Sequence, residues 1–122
     1  MGDVFQPGDH ATTFGGNPVV CAGAQVVLDK LTLQVLESVQ QKEQLIRQHL
    51  EKMPEVKKID GIGLMLGIQL ESKTAAEVID ACLEEGLIVL SAKEKIRLLP
   101  PLTISAEELK QGLAILAKVL AD

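Results

Sequence analysis

The chain has 122 residues, with 12 basic against 17 acidic side chains and a formal net charge of −5, a size that suits one domain or part of a larger one. At 47% apolar and 24% charged it has the makeup of an ordinary globular protein with a core. The acidic balance, the absence of a basic block and the presence of only two aromatic residues, Phe5 and Phe14, exclude the electrostatic footprint and stacking platforms of a nucleic-acid or anionic-membrane binder.

The longest apolar stretch, 61 to 68, falls far short of the roughly 20 residues that cross a bilayer. The opening MGDVFQPGDH is acidic and broken by Pro and Gly where a secretory leader would be basic and then apolar. Two distant cysteines make neither a disulfide framework nor a zinc site, so a reducing cytoplasm is expected.

Residues 1 to 16, rich in Gly, Asp, Thr and Pro, predict an extended or looping lead-in that cannot fold alone. Asn17 followed by Pro18 sets a cap before Pro at a first helical position, and the Ala/Val/Leu-rich run to about Leu31 predicts a helix. A second helix is expected from about Leu33 to Lys52, closed by Pro54. Leu36, Val39, Ile46 and Leu50 form its apolar stripe, and Glu43 pairs with Arg47 on its wet side.

From Val56 the β-formers of VKKID and LMLGIQLES, interrupted by Gly61, Gly63 and Gly67, predict two strands or one bent strand. Thr74 and Glu77 form a capping box for a helix with Ala75, Val78, Ile79, Cys82 and Leu83 on its inner face, stopped at Gly86. Residues 87 to 92 (LIVLSA) predict a buried strand, and 95 to 99 (KIRLL) another, after a turn at Lys93 and Glu94 and before Pro100 and Pro101. Ser105 and Glu108 cap a last helix with Leu109, Leu113, Leu116 and Leu120 along one side. The sum is an α+β layer, a small, mostly antiparallel sheet with helices on one face.

Few residues carry chemistry. His49 sits among polar neighbours on a helix and is expected to be solvated, and His10 is far from it in sequence. Cys21 and Cys82 fall in apolar helical patterns and are expected to be buried, inert thiols. The pairs Glu84-Glu85 and Glu107-Glu108 belong to helix ends. No metal cluster is expected and no residue is assigned as catalytic.

Two segments invite a functional reading. In HATTFGGNP, 10 to 18, the hydroxyls of Thr12 and Thr13, a flexible Gly15-Gly16 pair and a helix start could present donors to an anion, or form a plain turn and cap. In IRLLPPL, Arg97 could hold a carboxylate in a two-pronged pair, or share a solvated edge-strand face with Lys95.

These segments, together with GIGLMLGIQL between them, resemble the C-terminal part of the class III, ornithine-type, pyridoxal-phosphate-dependent aminotransferases, most closely the members that act on N-acetylornithine. The likeness covers nearly the whole chain in the family's order. It implies residues 1–16 as a lead-in carrying a phosphate-site Thr, and 17–122 as the small C-terminal domain of a fold-type I enzyme. It also implies that Thr13 bonds the phosphate of pyridoxal 5'-phosphate across a homodimer interface and that Arg97 meets the α-carboxylate of the substrate.

The implied reaction passes the amino group of N-acetylornithine to 2-oxoglutarate in arginine biosynthesis, with ornithine, succinylornithine and 4-aminobutyrate as alternative donors. The Schiff-base Lys and the acidic partner of the cofactor ring would lie in a large domain upstream, so the chain is expected to be an excised domain, inactive alone. Its partners would be that large domain and the second subunit, with self-association through the helix at 18 to 31; no nucleic acid and no membrane are expected. A non-catalytic α+β ligand or interaction module is the competing class. The family usually carries Arg-Gly where this chain has Asp60-Gly61.

Overall fold

The computed structural model describes residues 12 to 121. His10, Phe5 and most of the predicted lead-in lie outside the described residues. The chain divides into two compact units, Met1–Thr32 and Leu33–Asp122.

In the first unit the segment from 12 to 16 bends and turns into helix α1, Pro18–Lys30, as its cap predicts. The Asn17 side chain accepts from the backbone N–H groups of Val19 and Val20, which the first turn would otherwise leave unpaired. Gly16 sits at φ +77°, and any Cβ on Gly15 would collide with the side chain of Thr12.

The second unit runs α2 (Leu33–Leu50), β1 (Val56–Ile62), β2 (Met65–Leu70), α3 (Ala75–Glu84), β3 (Leu90–Ala92), β4 (Lys95–Leu98) and α4 (Ala106–Ala121). The four strands form one antiparallel sheet in the order β1-β2-β4-β3, so this is the expected α+β layer. Of the two possibilities left by the glycines at 61, 63 and 67, two separate strands form. Ile62 pairs with Met65 around a two-residue loop whose first member, Gly63, has φ +59°.

Register decides which side chains share a face. Leu66 opposes Leu98, and Ile68 opposes both Ile59 and Ile96; these inward positions meet Ile46 and Leu50 of α2, Val78 and Cys82 of α3, and Leu113 and Leu116 of α4 in one core. Burying such side chains contributes roughly 1.5–3 kcal/mol each. Both capping boxes form. Glu77 accepts from the Thr74 backbone N–H while Thr74 Oγ1 accepts from the N–H of Glu77, and Ser105 and Glu108 repeat the arrangement. At the other end of α3, Gly86 N–H donates to Leu83 and Leu87 N–H to Cys82, the pair of bonds that closes a helix at a left-handed glycine, here with φ +83°.

Several expectations are corrected. The segment 87 to 92 is not a buried strand: only Leu90–Ala92 is extended, and it lies on the sheet edge with β4 as its single neighbour. Val89 is buried but Ile88 is 78% exposed. Conversely, β4 is no edge strand; it lies between β2 and β3. Helix α2 stops at Leu50, two residues before Lys52, and Leu36 and Leu83 stand at exposed ends of their stripes.

The Glu43–Arg47 pair is not on a wet side. Because α2 lies beside edge strand β1, Arg47 donates to the carbonyls of Ile59 and Gly61 on that strand's unpaired side, while Glu43 accepts from the N–H of Gly63 in the hairpin loop. An ion pair read as i, i+4 decoration in fact supplies partners to a sheet edge. No single described helix is long and apolar enough to cross a membrane.

Candidate functional site

The face of the sheet away from the core carries the polar chemistry of the second unit. Across the four strands, Asp60 opposes Gly67, Gly67 opposes Arg97, and Arg97 opposes Leu90. Lys95, two residues before Arg97, shares this face because side chains alternate along a strand. None of these residues belongs to the core cluster.

Asp60 binds two cations. Lys58 lies 2.6 Å from one carboxylate oxygen, and the ammonium of Lys95 donates to the other. These hydrogen bonds from Lys58 and then Lys95 lower the Asp60 carboxyl from its ordinary 3.8 to about 2. Lys95 reaches Asp60 from two strands away, and its stem passes 3.6 Å from where a Cβ on Gly67 would sit. The lysine stem thus crosses directly over Gly67 on β2. Asp60 is the anchor of a Lys-Asp-Lys cluster.

Arg97 stands on an inner strand with its guanidinium half-buried. Its Nε is buried and has no hydrogen-bond partner among the described residues, the single buried side-chain nitrogen or oxygen left in that state there. A buried donor without an acceptor costs about 1–3 kcal/mol, which favours any rearrangement of the side chain that brings an acceptor to the guanidinium. A guanidinium held on a β-strand next to two prolines presents a planar fork suited to a carboxylate.

Thr13 lies in the first unit, exposed, in the bend before α1. Of the anion-presenting alternative at 10 to 18, the N–H donors at the helix start are already taken, since Pro18 has none and Asn17 occupies those of Val19 and Val20. Thr12 and Thr13, both exposed, keep hydroxyls to offer a ligand, and the Thr12 side chain lies close over Gly15. Turn, cap and exposed threonine hydroxyls thus coexist.

The remaining candidates are quiet. His49 is exposed, with its Nδ1 2.7 Å from the Leu45 carbonyl of its own helix. Cys82 is buried, and desolvation raises its thiol; Cys21, expected to be buried too, is exposed because α1 buries no residue. Glu85 pairs with Lys118 and Glu108 caps α4. Sequence reasoning missed the joint role of Lys58, Asp60, Gly67 and Lys95. The signal was available in the hairpin register, which sets Asp60 beside Gly67, once β1 and β2 are paired around Gly63 and Leu64.

Residues 1–120 match the family model for aminotransferase class III. The acetylornithine aminotransferase of Haemophilus ducreyi is 43% identical over 123 residues, covering 100% of this chain and 31% of its own. That of Lactococcus lactis subsp. lactis is 43% identical over 122 residues, covering 95% and 32%. Among solved structures, N-acetylornithine aminotransferase from Stenotrophomonas maltophilia superposes with a TM-score of 0.80 at 31% identity over 88% of this chain and 32% of its own. Ornithine aminotransferase from Toxoplasma gondii gives 0.74 at 28% identity over 98% and 30%. The chain therefore spans about a third of the length of the relatives it matches.

Proposed function

The chain belongs to the class III aminotransferases, and from that premise we propose that it forms the small C-terminal domain of an acetylornithine aminotransferase, inactive without the rest of that enzyme. The name shared by its relatives over nearly the whole of this chain supports the reading. The proposed substrates are N-acetylornithine and 2-oxoglutarate, in a cytoplasmic step of arginine biosynthesis. The proposed partners are a large domain and the second subunit of a homodimer.

Pyridoxal 5'-phosphate, when bound, supplies the electron sink that amino transfer requires. The Lys that would hold it is assigned to the large domain, as is the acid facing its ring nitrogen. Thr13 fits one phosphate contact, since an exposed hydroxyl can donate one hydrogen bond to a phosphate oxygen. Arg97 fits a carboxylate, and the observation that carries this assignment is its half-buried guanidinium on inner strand β4, whose Nε has no partner among the described residues. A carboxylate would meet the guanidinium as a planar fork, and the inner strand fixes its orientation; the contribution of this chain is positioning.

Grafting tests the reading. A chimera in which this chain replaces the corresponding segment of the Haemophilus ducreyi acetylornithine aminotransferase is expected to turn over N-acetylornithine in preference to ornithine and 4-aminobutyrate. Arg97→Ala in that chimera is expected to lower kcat/KM about 10- to 100-fold, the loss of a charge-assisted pair. An inactive but folded chimera, or indifference to Arg97→Ala, counts against the assignment.

A further inference from the structure

The Lys58–Asp60–Lys95 cluster lies beside Arg97 yet has no part in the positioning just described. Two features set its geometry. Lys95 and Arg97 are two residues apart on one strand face, about 7 Å along the strand, close to the span between the carboxylates of a short dicarboxylate. Asp60, however, lies two strands across, about 10 Å from β4, and it draws the Lys95 ammonium away over Gly67. Lys58, on β1 with Asp60, completes the pairing from the far side.

We propose that Asp60 is a specificity-determining residue for the carboxylate site at Arg97: by tethering Lys95 across Gly67 it leaves a ligand one cation to meet, so a second anionic group on that ligand finds no partner from this chain. The proposal rests on the reading of Arg97 as the carboxylate site. An untethered Lys95 would reach the second carboxylate of a dianion and pull the site toward dicarboxylates. The stem of Lys95 crosses β2 over Gly67, where a Cβ would lie 3.6 Å from it, in ordinary van der Waals contact.

The test uses the full 122-residue chain, isotope-labelled, with the Nε–H resonance of Arg97 as the reporter, assigned by its loss in Arg97→Lys. Acetate and glutarate serve as probes, and the measured quantity is the ratio of their affinities. Two double variants carry the same net charge on this face as the parent: Asp60→Asn with Lys58→Met frees Lys95, whereas Asp60→Asn with Lys95→Met removes it. The first is expected to raise the glutarate-to-acetate ratio about three- to fivefold, the effect of one exposed ion pair. The second is expected to keep the parent ratio.

Equal ratios in the two doubles, with Nε–H still responding to acetate, would overturn the tether while leaving Arg97 as the carboxylate site. No response of Nε–H to either probe in the parent chain would overturn both. A merely structural role for the cluster would alter stability in both doubles and leave their ratios alike, which is the first of these failures.

Discussion

Helix α4 buries five of its 16 residues, whereas α1, with 13 residues that are also rich in apolar side chains, buries none. The difference lies in spacing. In α4 the apolar residues 109, 113, 116 and 120 fall on one stripe opposite Glu107, Lys110 and Lys118, so a single core suffices to cover them. In α1, Val19, Val20, Val26, Val27 and Leu28 point around the helix, and each is more than half exposed. A helix whose apolar residues spread over more than half its circumference, leaving the Gln25–Asp29 side polar, calls for cover from more than one side. Under the proposed assignment that cover comes from the large domain and the second subunit.

The sharpest way to break this contrast is thiol chemistry, because each kind of helix carries one cysteine. Cys21 on α1 is exposed, while Cys82 on α3 is buried and its thiol is raised by desolvation. In the native chain at low concentration, alkylation followed by mass spectrometry is expected to modify Cys21 at least ~100-fold faster than Cys82, with equal rates in denaturant. Protection of Cys21 at low concentration would contradict the exposure of α1. Protection that grows with concentration would support self-association through α1, the contact proposed for it.

Core truncation gives the next effect in size. Leu116→Ala, at a side chain 1% exposed, is expected to lower unfolding free energy by about 2–5 kcal/mol in chemical denaturation. Val27→Ala, at a side chain 57% exposed, should stay within about 0.5 kcal/mol. Similar losses at both positions would mean that the two helices are covered alike.

The same contrast explains what could be read from the chain alone. Elements whose ends are fixed by local chemistry were legible: Asn17-Pro18, Thr74-Glu77 and Ser105-Glu108 each mark a helix start with side chains that answer nearby N–H groups. The antiparallel α+β layer followed from those boundaries and the strand patterns between them. What depended on neighbours remote in sequence was not legible. A run such as LIVLSA looks buried by composition, but being last in the order β1-β2-β4-β3 leaves it with one strand neighbour. Arg47 looked like surface decoration until β1 was found to offer it two carbonyls. Arg97 was legible as a candidate carboxylate binder by type and motif, but its orphaned Nε, and the tether beside it, depend on which strands flank β4.

The smallest expected effect concerns the open sheet face, which resembles α1 in lying outside the core and differs from it in being held by charge. Asp60 has its carboxyl lowered from 3.8 to about 2 by Lys58 and Lys95, so it favours the folded state when ionised. Its contribution is complete above about pH 4 and fades as pH falls through about 2. Asp60→Asn removes it, so parent and variant should differ in stability by a constant amount at neutral pH and converge in acid. Glu55, Glu77 and Glu108, lowered mainly by hydrogen bonds from backbone or hydroxyl donors, weaken both proteins alike on acidification and cancel in the comparison. Since the Asp60 cluster faces solvent, added salt should shrink the neutral-pH difference, whereas the loss in Leu116→Ala should be indifferent to salt. A parent-to-variant difference that persists unchanged at pH 2 would mean that Asp60 acts through packing, and that the tether on Lys95 is not ionic.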